Sequence, residues 1–316
     1  MPTMSTIDRF PPPDAHVGVP PAPAHAKPDT VPGACAVCRN VDVQPAFRSR
    51  DYQLARCRAC THLYVSEPVS KADLAAAYGR DYYEPADADA ALGYADYLGS
   101  TALRLRGFAD RLATVERHAP GRGRLLDYGC AVGLFVKVAA AAGWAATGLD
   151  RSEWAADYGR RTFGLDIVVS DGSHDPFAPA TFDAISMWDV LEHLESPREV
   201  LGSVARWLKP GGVLGLNTVN ASSLGARLAG PNWRHLAPPM HLQYFTRDSL
   251  HRLLHEFGFR VVSRTSQGVM LTGARPVGAW GRRLPWVERA ATHWRAKPLA
   301  TALNLLDEID IVAVKI

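Results

Sequence analysis

The sequence predicts an α/β protein with a doubly wound, mostly parallel sheet of seven strands, preceded by a small cysteine-bearing module and a helical bridge. Two observations predict this architecture. From residue 119 onwards, short apolar runs alternate with helical patterns, which is typical of a parallel sheet covered by helices on both faces. Nearer the start, two Cys-x-x-C pairs stand close together, as in small domains held by a metal ion.

Composition and periodicity divide the chain into segments. The first segment is rich in Pro and Ala and has no hydrophobic period, so we expect a disordered tail. The predicted segments are a tail at 1–32, a zinc-ribbon module at 33–66, a helical bridge or lid at 67–118 and an α/β domain at 119–316, which includes a binding loop at 219–246 and a helical insert at 267–307.

Bulk properties narrow the class of protein. With 316 residues, 47% of them hydrophobic, the chain can bury one large core and a smaller module. A formal net charge of +3 is slight for this length and does not indicate a polyanionic partner. No apolar run approaches the ~20 residues of a membrane helix, and no secretory signal is visible. We therefore expect a cytoplasmic protein.

Four of the five cysteines form a predicted metal site. Cys35 and Cys38 make one pair and Cys57 and Cys60 the other, and each pair can supply two thiolates to a tetrahedral zinc ion. Four thiolates leave no open coordination position, so this zinc would be structural. The alternative is that the cysteines are paired by chance and bind nothing.

The module has two interpretations. Arginines between and beside its cysteine pairs favour contact with nucleic acid, whereas its small size favours a lid that needs metal to fold. We prefer the lid. The arginines concerned are Arg48, Arg50, Arg56 and Arg58, and the stretch from Phe47 to Arg56 is expected to form a hairpin.

The most informative stretch of the main domain is a glycine turn between a predicted strand and helix. Apolar Leu125 and Leu126 begin the strand, and the turn after it reads Asp127-x-Gly129-x-x-x-Gly133. Glycine allows the backbone to bend sharply and to approach a ligand closely. The next predicted strand ends in Asp150, at the distance where nucleotide-binding folds place an acid for ribose hydroxyls.

Together these residues resemble the class I S-adenosylmethionine (SAM) methyltransferases, which have a Rossmann-like sheet whose last strand is antiparallel. The resemblance extends from about Leu125 to the C-terminus and implies that the turn passes the methionine part of SAM and that Asp150 holds its ribose. A dehydrogenase is the alternative, but its fingerprint would place glycine where Asp127 stands. The cofactor residues implied are Tyr82, Tyr83, Asp127, Gly129, Cys130, Gly133, Asp150, Arg151, Asp171, Gly172 and Trp188. The alternative for Tyr82 and Tyr83 is packing of the bridge onto the core, and the alternative for Asp171 is a turn formed with Gly172.

A second group of polar residues follows the predicted strand Phe182–Met187. Asp189, Glu192 and His193 come directly after it, where open α/β sheets bind their ligands. The binding loop adds His241 and Tyr244. We predict His193 as the general base of methyl transfer, because an unperturbed imidazole titrates near neutral pH. His241 is the second candidate, Tyr244 an orienting group, and Glu192 a further member.

This group also resembles the D/E-x-x-E-H motif of the ubiquinone-pathway O-methyltransferases, which implies a divalent cation at Asp189, Glu192 and His193. Two carboxylates and an imidazole suit such an ion. The cysteine module, the Tyr-Tyr pair and the core are in turn similar to sugar C-methyltransferases of antibiotic pathways. The expected acceptor is therefore a small specialised metabolite or sugar, methylated on oxygen by preference.

The main rival function is methylation or binding of RNA through the zinc ribbon. Base-nitrogen methyltransferases carry N/D-P-P-Y/F after the fourth strand, whereas this chain has Trp188-Asp189 there. Nucleic acid is therefore the less favoured partner, and the sequence does not indicate the oligomeric state.

Signals at helix ends complete the predictions. Ser196 and Glu199 flank Pro197 in the pattern of a capping box, and Thr246 is expected to begin a later helix that Gly258 closes.

Overall fold

The computed structural model describes residues 33–70, 101–170, 172, 175–265 and 307–316. The predicted tail, most of the predicted bridge and most of the predicted insert lie outside these residues. Tyr82, Tyr83 and Asp171, three of the candidate cofactor residues, also lie outside them. Among the helices of the described ranges, none is long and apolar enough to span a bilayer.

The predicted cysteine module supplies three strands of a small antiparallel sheet. Its first two strands, β1 (Val43–Ser49) and β2 (Tyr52–Cys57), form the expected hairpin, and β3 (Leu63–Val65) pairs with β2. The fourth strand, β9 (Gln243–Tyr244), comes from the predicted binding loop of the main domain and pairs with β3. The module therefore shares a sheet with the domain that follows it.

Strands and helices alternate through the main domain as predicted. In chain order they are α1 (Thr101–Glu116), β4 (Arg124–Tyr128), α2 (Leu134–Ala141), β5 (Ala145–Asp150), α3 (Glu153–Phe163), β6 (Ile167–Val169), β7 (Phe182–Trp188), α4 (Pro197–Trp207), β8 (Leu208–Val219), α5 (Leu224–Ala229), α6 (Arg247–Glu256), β10 (Phe259–Thr265) and β11 (Glu308–Lys315). Single 3-10 turns cover Leu191–His193 and Gly230–Asn232.

The large sheet has seven strands in the order β10-β11-β8-β7-β4-β5-β6. Strands β4 to β8 are parallel to one another, whereas β11 runs antiparallel to its neighbours β8 and β10. The predicted seven-stranded sheet and its antiparallel last strand are thus confirmed. Because β4 lies between β5 and β7, the carboxyl ends of these three strands meet at one edge, where the candidate residues follow them.

Both faces of the sheet are covered, as expected of a doubly wound fold. On one face, Leu126, Ile185 and Leu216 belong to a buried cluster that includes residues of α4, α6 and the cysteine module. On the other face, Leu125 and Val213 lie in a cluster with residues of α1 and α2. Adjacent strand residues point to opposite faces, which explains the continuous apolar runs in the sequence.

The end signals of α4 are confirmed in position, but the predicted capping box is absent. Ser196 begins α4, but its side chain makes no capping hydrogen bond, and its ψ of 73° departs from the extended backbone of Thr246 (ψ 164°). Lys209-Pro-Gly-Gly is a typical stop signal for the preceding helix, and α4 does end before it, at Trp207; the stretch itself lies within β8. Thr246 does cap α6: its hydroxyl accepts from the Ser249 N–H, and the Ser249 hydroxyl accepts from the Thr246 N–H.

Candidate active site

The glycine turn between β4 and α2 has the geometry that requires glycine. Gly129 has a φ of +73° and Gly133 a φ of +83°, in the left-handed region that other residues seldom adopt. A Cβ on Gly129 would lie 2.6 Å from Val190 Cγ2, and one on Gly133 would lie 2.5 Å from Leu165 Cδ1. The turn is therefore closed to larger side chains.

Asp150 fastens the turn to the end of β5. Its Oδ2 accepts a hydrogen bond from the Ala131 N–H at 2.7 Å, and its Oδ1 accepts from the Ser152 N–H at 2.8 Å. A carboxylate has about four acceptor sites, so two remain to receive ligand hydroxyls. Burial raises the pKa of Asp150, and the two backbone hydrogen bonds oppose that rise. Arg151, the next residue, is exposed.

Asp127 lies beneath the same turn, at the end of β4. It is buried, and the Ser186 hydroxyl of neighbouring β7 donates to its Oδ1 at 2.7 Å. Burial raises the pKa of Asp127 to about 7, with a contribution from the nearby charge of Asp150. A cationic ligand would favour the ionised form of this acid, because an opposite charge lowers the pKa of a carboxyl.

Cys130 and Trp188 have side chains that pack within the protein. A Cβ on Gly148 would lie 2.6 Å from Cys130 Sγ, so the thiol fills the space beside β5. The ring of Trp188 lies edge to face with Phe135 at 5.3 Å, and the Arg111 guanidinium stacks over it at 5.0 Å. Gly172 is exposed, with a φ of +82°.

Two histidines from segments that are distant in sequence lie in contact near the carboxyl end of β7. The ring centroids of His193, after β7, and His241, in the 219–246 loop, are 4.7 Å apart and nearly perpendicular. His193 Nδ1 donates to the Met240 carbonyl at 2.9 Å, and His241 Nδ1 donates to the His235 carbonyl at 2.8 Å. Nδ1 of both rings is thus directed to backbone carbonyls.

Glu192 completes this cluster. One ligand atom each from Glu192, His193 and His241 lies within 4.8 Å of the others. Glu192 is buried and accepts from the Thr218 hydroxyl at 2.8 Å. Asp189, which the sequence groups with Glu192 and His193, instead exchanges two 2.7 Å hydrogen bonds with the Asn217 amide, one through its backbone N–H and one through Oδ1.

Burial sets the charge of the cluster. It lowers the pKa of His193 to about 3, with help from His241, and lowers the pKa of His241 as well. It raises the pKa of Glu192 to about 8, and the neighbouring Asp189 charge adds to the effect. The resting cluster is therefore close to neutral at pH 7, with both imidazoles in the form that can accept a proton.

Tyr244 is buried beneath the loop. Its hydroxyl donates to the His241 carbonyl at 2.8 Å, and burial raises its pKa. Tyr244 therefore holds the backbone of His241. Contacts of this type, including those of Ala131 and His235, could not be predicted from the sequence, because a backbone N–H or carbonyl partner leaves no signal in residue type.

The four cysteines of the module form one cluster. The distance between the sulfurs of Cys35 and Cys60 is 3.6 Å, and that between Cys38 and Cys57 is 3.5 Å. None of the four is in a disulfide. Tetrahedral zinc with bonds of ~2.3 Å requires sulfur separations of roughly 3.8 Å, so the geometry fits a zinc ion.

The arginines of the module are occupied by contacts within the chain. Arg48 pairs with Glu67, and Arg58 donates to the Gln44 side chain. Arg56 donates to the carbonyl of Thr61 and Arg50 to that of Pro238.

The strand order, the glycine turn and the acid at the end of β5 are those of a class I SAM-dependent methyltransferase. Residues 100–264 match the methyltransferase domain family Methyltransf_23, about half of the chain, and the chain belongs to this family.

Curated relatives are ubiquinone biosynthesis O-methyltransferases. The mitochondrial protein of Schizosaccharomyces pombe is 33% identical over 123 residues, which cover 36% of this chain and 43% of that protein. The Thiobacillus denitrificans protein is 32% identical over 126 residues, 38% of this chain and 54% of that protein. The chain thus spans about half the length of the curated relatives it matches.

A solved structure supports the fold. The crystal structure of a Pyrococcus horikoshii OT3 protein superposes with a TM-score of 0.50 at 17% identity, covering 76% of this chain and 97% of that one.

Proposed function

We propose that the chain transfers a methyl group from SAM to an oxygen atom of a small-molecule acceptor, such as a specialised metabolite or a sugar. The observation that carries this proposal is the pairing of His193 with His241 at the same sheet edge as the turn fastened by Asp150. The names of the curated relatives support oxygen as the accepting atom.

On the cofactor side, we assign Asp127 to the cationic amino group of SAM and Asp150 to its ribose. The charge of Asp127 opposes that of the ligand, and the two acceptor sites left on Asp150 suit hydroxyl donors. The turn at Gly129 and Gly133 lets the backbone lie close to the methionine part. Tyr82, Tyr83 and Asp171 remain assigned by resemblance.

On the acceptor side, His193 removes the proton of the attacking hydroxyl. When bound, SAM supplies a methyl group on a sulfonium centre, and the new C–O bond forms as the C–S bond breaks. The hydroxyl proton passes to His193 Nε2, while Nδ1 stays bonded to the Met240 carbonyl. Burial lowers the pKa of His193 to about 3, contrary to the near-neutral titration expected from sequence, so the ring is unprotonated at neutral pH but a weaker base than a free imidazole.

His241 and Tyr244 orient the acceptor and the general base. His241 contacts the His193 ring edge-on, so it limits the positions that ring can take. Tyr244 in turn fixes the His241 backbone through its hydroxyl. Holding the reacting atoms in line supplies much of the rate enhancement in a displacement of this kind.

A divalent cation at this cluster is a second element of the proposal. The observation that favours it is the approach of ligand atoms from Glu192, His193 and His241, in which His241 takes the place that the sequence assigned to Asp189. Such an ion would polarise the acceptor oxygen. Activity that falls on treatment with EDTA and returns on addition of Mg²⁺, at constant zinc content, would support it.

The first test is calorimetry of the purified chain with SAM and with S-adenosylhomocysteine, with zinc measured on the same sample. We expect micromolar binding and about one zinc per chain. Transfer of labelled methyl should then occur to a panel of phenols and sugars and stop when the accepting hydroxyl is blocked as its methyl ether. Absence of SAM binding, or transfer to RNA in preference to every small acceptor, would contradict the proposal.

A further inference from the structure

The cysteine module and the candidate active site are joined by a continuous sheet. Strand β9, which includes Tyr244, pairs with β3 of the module in the register Leu63 to Tyr244 and Tyr64 to Gln243. The sequence separation across this pairing is about 180 residues. The loop that carries His241 therefore takes its place by adding a strand to the module.

Backbone hydrogen bonds extend this connection to the general base. The Val65 N–H donates to the Leu242 carbonyl at 2.9 Å, and the Leu242 N–H donates to the Glu192 carbonyl at 2.7 Å. Leu242 follows His241 directly, and Glu192 precedes His193. One residue thus links the module to both halves of the histidine pair.

Gln243 forms a second connection through its side chain. The His62 ring donates from Nε2 to Gln243 Oε1 at 2.9 Å, and Gln243 Nε2 donates to the Leu194 carbonyl at 3.0 Å. His62 is fully buried and Gln243 is 4% exposed, so water cannot replace these bonds at low cost. Phe245 packs against the His62 ring at 4.7 Å and helps to hold it.

We propose that Gln243 is a positioning residue, through which the cysteine module sets the relative placement of His193 and His241. This inference rests on the proposed function of that histidine pair. Gln243 lies two residues from His241 and bonds to the residue after His193, so losing its amide releases both segments. A displacement of about 1 Å between catalytic groups can cost on the order of a hundredfold in rate.

The chain offers a matched control for this bond. The hydroxyls of Thr61 and Thr246 also join the module to the main domain, at 2.9 Å. That contact ends at the cap of α6 and does not reach residues 192–194. Thr61→Ala removes this bond, together with the bond from the same hydroxyl to the Cys60 carbonyl at 2.6 Å, and leaves the connection through Gln243 in place.

The experiment compares Gln243→Leu, His62→Phe, the double variant and Thr61→Ala in the full zinc-loaded chain. For Gln243→Leu we expect kcat to fall by roughly tenfold to a hundredfold, with SAM affinity and zinc content within about twofold of wild type. The double variant should be no slower than Gln243→Leu, because both changes break one connection. Thr61→Ala should keep the wild-type kcat.

Hydrogen–deuterium exchange supplies a readout independent of activity. We expect faster exchange of the Leu242 amide in Gln243→Leu and not in Thr61→Ala, since that amide reports the bond to Glu192. A kcat within twofold of wild type, multiplicative losses in the double variant, or unchanged exchange at Leu242 would each overturn the proposal. If no acceptor is ever methylated, the proposed function fails, while the exchange result still decides this inference.

Discussion

The cofactor side and the acceptor side of the candidate active site are assembled in different ways. The described part of the cofactor side comes from one β-α-β stretch, with Asp127, Gly129, Gly133 and Asp150 at the ends of adjacent strands. The acceptor side joins residues after β7 to a loop before α6 and to the cysteine module. A site built from neighbouring elements depends on local turns, whereas one built from distant segments depends on whatever holds them together.

The two sides also differ in charge. Asp127 and Asp150 give the cofactor side two carboxyl groups, which a cationic ligand would draw into the ionised form. Burial keeps the two histidines of the acceptor side neutral. This contrast suits a reaction in which a sulfonium is bound on one side and a proton is accepted on the other.

The largest expected effect separates turnover from cofactor binding. His193→Ala should lower kcat by about 10²–10⁴-fold, the usual contribution of a general base, and leave the SAM dissociation constant within about twofold. Single-turnover assays and calorimetry measure the two quantities. His255→Ala, on the exposed face of α6, is the matched control and should change neither. Equal loss of SAM affinity in His193→Ala would remove the distinction between the two sides.

Asp150→Ala should instead weaken SAM binding. Loss of the bonds to the Ala131 and Ser152 amides loosens the turn, and loss of the ribose contact adds to it, so SAM affinity should fall roughly 10–100-fold. Calorimetry gives the dissociation constant. Asp157→Ala breaks only exposed ion pairs with Arg160 and Arg161 and should bind SAM as the wild type does. Unchanged affinity in Asp150→Ala would contradict the cofactor assignment.

Loss of one module thiolate should affect the acceptor side alone. Cys57→Ser should lose zinc and slow turnover about tenfold through the histidine pair, with SAM affinity within about twofold. Zinc analysis and calorimetry on one sample test both halves. Cys130→Ala should keep its zinc, since Cys130 packs beside Gly148 away from the four-cysteine cluster. A Cys57→Ser protein that binds SAM poorly would show that the module supports both sides.

The smallest expected effect is the pH dependence of SAM binding. Burial raises the pKa of Asp127 to about 7, so acidification protonates it and weakens its attraction for the cationic cofactor. SAM affinity should therefore fall roughly eightfold from about pH 7.5 to pH 6. The folded chain without cofactor holds this proton more tightly than the unfolded chain, so Asp127 makes it less stable as pH rises towards 7. Asp127→Asn should bind SAM weakly at every pH; a retained pH dependence would assign the titration to another group.

Prediction from sequence succeeded where the signal is local. Apolar runs predicted the parallel strands β4 to β8, and the position of Thr246 before a periodic helix predicted its capping role. It failed where local patterns compete with neighbouring structure. Ser196 has the pattern of a capping residue without its hydrogen bond, and the Lys209–Gly212 stretch lies within β8 as an irregularity between Leu208 and Val213, which both pair with β7.

The direction of side chains was also not predicted from the sequence. Cys130 stands in the glycine turn, yet its thiol packs beside Gly148. Tyr244 lies in the binding loop, yet its hydroxyl holds the backbone of His241. Position along the chain shows which residues lie near a site, but the direction of a side chain depends on the packing around it.

By itself, the sequence determined the order of strands and helices, the glycine turn and the acid that fastens it, because hydrophobic period, glycine and capping act over a few residues. Only the tertiary structure brought His193 to His241, replaced Asp189 by His241 beside Glu192, and joined Gln243 to His62. These contacts connect segments tens to almost two hundred residues apart. Their formation depends on how sheets pack and pair, which no local pattern of residues specifies.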